Sequence, residues 1–237
     1  MCANLSSMAW LSPSGRALSD YPRPSVAVDV ALLTLDDEGR LAVLLYERQE
    51  EYETGRWSLP GTFLREHERL REAALRALRD KVGVSGEEPR QLRVFDRPDR
   101  DDRGWVISVA HVDLVPRDRL GTRPWLAPVE GDPPRAVLPE GHRGLAFDHD
   151  DIVVVAVEWA RQLYAQAPDP RQLIGPEFTL LDLQRLHEAV RGGPLLKDAF
   201  RRRMLPMLEE TGRLRRGTVG KPARIFRSRS RYPEAAR

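Results

Sequence analysis

Ala77, Asp80 and Lys81 are spaced i, i+3 and i+4, so on a helix they share one face. Three carboxylates on such a face could gather a hard divalent cation. This sequence offers a methyl group, one carboxylate and one ammonium instead. A lysine there carries the charge that a metal would bring and repels a real one at contact distance. Two other sets of residues could do chemistry. Arg100 and Arg103 lie in the Asp- and Arg-rich stretch 96–104, and guanidinium forks suit diphosphates because they donate paired hydrogen bonds. Turn chemistry alone would also account for the Asp, Pro and Gly of that stretch. The third set is the run Arg201, Arg202 and Arg203 near the C-terminal end.

The elements that must position these groups follow from periodicity. Residues 60–84 read as a loop, a helix and a stop. Leu70, Ala73, Ala74, Leu78 and Val82 recur at helical spacing and give one apolar stripe. Gly83 stands where a helix needs a left-handed C-terminal residue. Upstream, the β-rich runs 26–35 and 41–46 flank the turn 36–39, a hairpin, with Arg48 at its exit. Residues 92–95 and 105–115 read as further strands. Six prolines between 116 and 144 predict a long surface excursion without regular structure. A helix is expected from about 148, with Asp148 as N-cap and Ile152, Val155, Ala156, Trp159 and Leu163 as its buried stripe. His149 reads as a helix-start residue rather than a metal ligand, since no second His or Cys lies at ligand spacing. Residues 165–175, with Pro168 and Pro170, are the best candidate linker.

The last piece has a compact pattern. Residues 178–190 form an amphipathic helix with Thr179 as N-cap and Phe178 and Leu183 as a hydrophobic staple. After Gly192, Gly193 and Pro194, a second helix spans 197–205, with Phe200, Met204 and Leu208 inward and the three arginines near its start. Pro206 should end its regular hydrogen bonding. Gly212 closes the segment, and 214–226 reads as two short strands around a glycine-rich turn. Helix, turn, basic helix and basic hairpin outline a winged helix-turn-helix, whose second helix enters the major groove while the wing grips the backbone. Lys197, Arg201, Arg202, Arg203, Arg215, Arg216, Lys221 and Arg224 are the DNA-contact candidates. A generic basic α/β tail is the plainer alternative.

Charge supports the nucleic-acid reading. Residues 191–237 carry 14 Lys or Arg against 4 Asp or Glu, a net of +10, whereas the other 190 carry 24 against 32, a net of −8. An acidic body with a basic end points to a polyanion contacted at one end. A hydrophobic content of 41% with 31% charged residues suits a protein that buries a real core. No apolar run is long enough to span a bilayer, and no secretory signal is evident, so a cytoplasmic protein without membrane contact is expected. The single cysteine, Cys2, excludes internal disulfides and Cys-based zinc sites.

Residues 60–84 resemble the Nudix box, G-x5-E-x7-R-E-U-x-E-E-x-G-U. Glu68, Arg76, Leu78, Gly83 and Val84 match without a gap, and Trp57, Leu59, Pro60 and Gly61 before it are also Nudix-like. Thr62 replaces the glycine, and Ala77, Asp80 and Lys81 replace the glutamates that gather Mg²⁺ in Nudix hydrolases. With the order of the downstream motifs, residues 25–227 resemble the Nudix-related transcriptional regulators of NAD metabolism. The resemblance implies an α+β chain: a Nudix-like α/β/α sandwich with a mixed sheet, then a winged helix-turn-helix. The expected divisions are a flexible leader (1–24), a ligand-binding domain (25–167), a linker (168–175), a DNA-binding domain (176–228) and a basic tail (229–237). It further implies a homodimer on a palindromic operator. ADP-ribose or a related nucleotide sugar would be the effector, held by Arg48, Trp57, Phe63, Glu68, Arg76, Asp80, Lys81, Arg100 and Arg103. No catalytic residue, resident metal or cofactor is assigned. The alternatives are a Mg²⁺-dependent Nudix hydrolase with a basic appendage, and a nucleotide-binding protein whose basic end contacts RNA or a protein.

Overall fold

A computed structural model describes residues 12–121, 125–142, 144–215 and 222–229. The candidates Arg216 and Lys221, Cys2 and most of the basic tail lie outside the described residues. A 3₁₀ turn at Leu18–Asp20 precedes β1 (Ser25–Leu35) and β2 (Leu41–Glu47), the expected hairpin. Then come β3 (Trp57–Ser58), β4 (Gly61–Phe63), α1 (Leu70–Val82), β5 (Arg90–Phe95) and β6 (Val106–Leu114). β7 (Trp125–Glu130) and β8 (Arg135–Ala136) lead to α2 (His149–Gln166). The main sheet runs β5-β6-β1-β2-β7-β8, with β3 on β2 and β4 on β1. Only the β1–β6 pairing is parallel, so the sheet is mixed.

Alternation along β1 explains the layers. Val28, Val30 and Leu32 face α1 and pack on Ala73, Ala74 and Leu78. Ala31 and Leu33 face the other way, into the core shared with α2. A strand covered on both faces needs a near-continuous apolar run, and this one supplies it from Val26 to Leu33 except at Asp29. Gly83 ends α1 in the left-handed conformation, at φ 69°, as expected.

Several expectations are corrected. The proline-rich excursion contains β7, whose residues from Trp125 to Pro128 pair with β2. Pro128 lies just outside the two-residue ladder between β7 and β8, where its carbonyl accepts from Val137 N and its missing N–H breaks no ladder pair with β8. Asp148 is the N-cap residue of α2, as expected, but its side chain makes no capping hydrogen bond, because its carboxylate is occupied by Arg100. The buried stripe of α2 is rotated from the expected one: Val153, Val157, Ala160 and Tyr164 join Ile152 and Ala156, while Val155, Trp159 and Leu163 are half-buried. Ala77 does not share a solvent face with Asp80 and Lys81. It is buried against the core, Asp80 is exposed, and Lys81 is half-buried.

The chain from Pro168 to Gly175 is packed rather than loose. Asp169 is buried and accepts from Tyr164 Oη at 2.8 Å and from Leu173 N and Ile174 N at 3.0 Å each. Beyond it lie β9 (Phe178–Thr179), α3 (Leu180–Arg191), α4 (Lys197–Met204), β10 (Leu208–Arg215) and β11 (Ala223–Ser228); β11 pairs with both β10 and β9, giving the sheet order β10-β11-β9. Thr179 Oγ1 accepts from Asp182 N while Asp182 accepts from Thr179 N, a reciprocal N-cap, and Phe178 and Leu183 are both buried beside it. Gly212 does not close a segment. It lies inside β10 at φ 75°, where the register shifts between Glu210 and Leu214. The core of α3, α4 and the wing is continuous with the α2 face of the sheet.

Candidate functional site: a cationic cleft and a winged helix

The first site is a cleft of about 190 Å³ between the β1–β4 edge, the loop after β2 and the start of α2. Asp29, the one charge in an apolar strand, is buried at its floor and accepts from Ser108 Oγ at 2.6 Å. His149 Nδ1 accepts from Leu59 N at 3.0 Å, which leaves Nε2–H to face Asp29 Oδ1 at 3.3 Å. Burial pushes the Asp29 carboxyl up, but His149, Ser108 and Arg100 outweigh it and hold the pKa below the ordinary value. Gly61 is required opposite, since a Cβ there would overlap Asp29 Oδ1. Around the mouth stand three cations. Arg48 donates Nε and Nη2 to Tyr52 O, each at 3.1 Å, and stacks 5.0 Å from the Phe147 ring. Lys81 is paired with Glu50 and lies 5.3 Å from the Tyr46 ring. Burial, then the Arg48 guanidinium, pushes the Lys81 pKa below its ordinary value. Arg103 lies among Phe147, Tyr52 and Phe63, at 4.9, 5.1 and 5.3 Å from their ring centres.

Of the nine ligand candidates, the structure brings Arg48, Phe63, Lys81 and Arg103 into this cleft. It places the other five elsewhere. Trp57 stacks on Trp125 with ring centres 3.6 Å apart. Glu68 and Arg76 pair at 2.7 Å, and Arg76 also donates to Thr62 Oγ1 and Phe63 O, so the pair pins the loop before α1. The Arg76 hydrogen bonds hold the Glu68 carboxyl near a pKa of about 2. Asp80 pairs with Arg79 at the surface. Arg100 is buried and forks onto Asp148, at 2.6 and 3.0 Å, with Asp29 at 3.6 Å. Sequence reasoning missed Asp29, Glu50 and Phe147 as cleft residues and placed His149 only at a helix start. The usable signal was Asp29 itself, a carboxylate inside an apolar strand.

The Mg²⁺ of Nudix hydrolases does not fit these residues. The three positions that would hold it present a buried methyl, a carboxylate paired to Arg79, and an ammonium in the cleft. Among the described residues no group of three or more His, Cys, Asp or Glu is arranged to hold a metal ion.

The second site is the winged helix. Phe200 and Met204 face its core, so the three arginines point three ways. Arg201 lines the groove toward the wing with Lys197 and Arg224, Arg203 lines a cavity on the α2 side, and Arg202 faces outward. They occupy the last turn of α4, not its start. Among the described residues Lys197 and these arginines have no acidic partner, whereas Arg215 pairs with Asp182 at 2.6 Å and Arg224 with Glu210 at 3.0 Å.

Fold and sites together define a Nudix-fold domain whose cleft is joined through α2 to a winged helix. Comparison agrees. The NUDIX domain model matches residues 25–167, and the NrtR DNA-binding winged helix domain model matches residues 170–228. The chain is 32% identical over 214 residues to the ADPR responsive transcriptional repressor NtrR of Acinetobacter baylyi, covering 88% of this chain and 84% of that one. It is similar to the crystal structure of Shewanella oneidensis NrtR complexed with a 27mer DNA, with a TM-score of 0.65 and 30% identity over 86% of this chain and 93% of that one. An ADP-ribose pyrophosphatase of Methanocaldococcus jannaschii is 30% identical over 146 residues, 59% of this chain and 76% of that enzyme. The chain belongs to the NrtR family of transcriptional regulators, in which a Nudix domain carries a winged helix.

Proposed function

We propose that the chain is a DNA-binding transcriptional repressor of NAD-metabolism genes, whose Nudix cleft receives ADP-ribose without hydrolysing it. The observation that carries this reading is the Lys81–Glu50 pair in the cleft, beside a buried Ala77, where a hydrolase would gather its metal. Arg48, Lys81 and Arg103 supply the positive charge for a diphosphate, and Phe63, Phe147 and Tyr52 supply faces on which a base can stack. A sensor needs a ligand that binds its two states differently, and turnover would only destroy the signal. The repressor named above supports the effector and the DNA-bound relative supports the output. A homodimer would present two α4 helices to a palindromic operator, with half-sites about one helical turn or a multiple apart. Such a protein acts in the cytoplasm, with the DNA.

Calorimetry with ADP-ribose in EDTA should show saturable binding, and the same protein with Mg²⁺ should release no AMP or ribose 5-phosphate. Metal-dependent cleavage at an enzymatic rate would favour the hydrolase reading, which the likeness to an ADP-ribose pyrophosphatase keeps in view. Replacing Arg201, Arg202 and Arg203 with alanine should abolish operator binding and leave ADP-ribose binding intact. A normal gel shift by that variant would show that the DNA site lies elsewhere.

A further inference from the structure

A second cavity, of about 400 Å³, lies where the C-terminal end of α2 meets α3 and α4, away from the cleft. That volume suits a small organic ligand. Its floor is apolar and aromatic: Tyr164, His187 and Phe200 meet edge to face, with ring centres 5.5 and 5.1 Å apart. Its rim carries Arg161, Arg191 and Arg203 and no carboxylate. Among the described residues none of these guanidiniums makes an ion pair; Arg161 is half-buried, whereas Arg191 and Arg203 are exposed. Arg161 Nε is buried without a hydrogen-bond partner. Its Nη2 reaches across to the end of α3, where a Cβ on Gly192 would stand only 3.2 Å away. A half-buried guanidinium with an unsatisfied donor over an apolar floor is a group that an anion would compensate.

We infer that this cavity is a second small-molecule site, which takes an amphipathic organic anion: a compact charged head against Arg161 and Arg203, and an apolar or aromatic body over Tyr164 and Phe200. The site touches both halves of the protein. α2 begins at His149 in the cleft and ends at this cavity, and Arg203 projects from α4. A ligand here holds the winged helix against α2 through Arg203, independently of what occupies the cleft.

The test uses the full chain and the fluorescent anion 8-anilinonaphthalene-1-sulfonate. Saturable binding at one site per chain is expected, weakened about tenfold by Arg161→Met, the loss of one charge-assisted hydrogen bond. Ala199→Trp should abolish it, because Ala199 lies on the rim and is exposed, so the substitution blocks the cavity without disturbing the core. Displacement by 1-naphthoate or by 1-naphthyl phosphate then distinguishes a carboxylate from a phosphate head, while inorganic phosphate alone should not compete. Neither variant should change ADP-ribose binding in the cleft, which separates this result from the fate of the effector reading. No saturable binding, or binding unchanged in Ala199→Trp, overturns the inference. So does a probe displaced by ADP-ribose yet indifferent to both variants, since that places it in the cleft.

Discussion

Arg100 and Arg103 are three residues apart and do different things. Arg100 is buried between Asp148 and Asp29, and truncating one partner of a buried ion pair leaves the other charges without compensation. Arg100→Met should therefore destabilise the protein by about 3–5 kcal/mol, read as a fall in the midpoint of thermal or urea unfolding. Arg103 is exposed at the cleft mouth, forks onto the buried Asp101 and lies among the three rings. Arg103→Ala should lower the midpoint less than Arg100→Met does, because Arg103 N still donates to the Asp101 carboxylate. It should also weaken ADP-ribose about tenfold, the cost of losing a hydrogen bond to a charged group. Calorimetry beside a melt of each variant checks both. Adjacency in sequence gave these arginines one role, and burial separates them.

At the scale of elements, α3 is held at both ends. Thr179→Ala removes an N-cap and should cost about 1 kcal/mol, seen in denaturant titration. Farther along, His187 Nε2 meets Pro168 O at 2.6 Å, and its ring lies between Tyr164 and Phe200. Burial, with Arg203 adding to it, lowers its pKa from 6.5 to about 4 against the pull of that hydrogen bond. Because the folded pKa is depressed, the unfolded chain binds the extra proton between those values. Stability should thus be flat above about pH 7 and decline as pH falls from 6.5 toward 4, by up to about 3 kcal/mol. His187→Gln should flatten that slope in melts taken across the window; an unchanged slope would assign it to other groups. Glu68 works the other way, its stabilisation by Arg76 persisting until pH falls through about 2.

For the whole molecule, α2 is the member that matters most. Its 18 residues span about 27 Å, from His149 in the cleft to Tyr164 against the winged helix. The packed chain from Pro168 to Gly175 closes the same junction. The candidate cleft and the winged helix therefore lie at opposite ends of one helix, a physical route by which the two sites could be coupled. The three arginines of α4 should differ in DNA binding. Arg202, facing outward and unpaired, should contribute a phosphate or base contact, so Arg202→Ala should weaken operator binding and, if the contact is to phosphate, reduce the salt slope by about 1. Arg224→Ala should matter less, because Glu210 already holds that guanidinium. Operator titrations at several salt concentrations measure both.

Much of this architecture was legible because it rests on local rules. The apolar runs of β1 and β2, the stripe and left-handed stop of α1, the reciprocal cap of α3 and the inward Phe200 and Met204 are all written in local sequence. So is the loss of the metal-gathering carboxylates, which needs only residue identities. Tertiary structure alone decided which charged residues are free. Asp29, Arg100 and Asp148 come from three separate elements, and their pairing turned a presumed ligand arginine and a presumed helix cap into a buried support. β7 was hidden by Pro128 and the prolines around it, since its pairing with β2 and a partner for the Pro128 carbonyl are not local properties. Ala77 moved from the cleft face to the core because helix rotation is set by what the helix packs against. The cleft itself, with Lys81 held by Glu50 where a hydrolase would gather its metal, is a meeting of β1, the β2 exit, α1 and α2 that no single stretch of sequence contains.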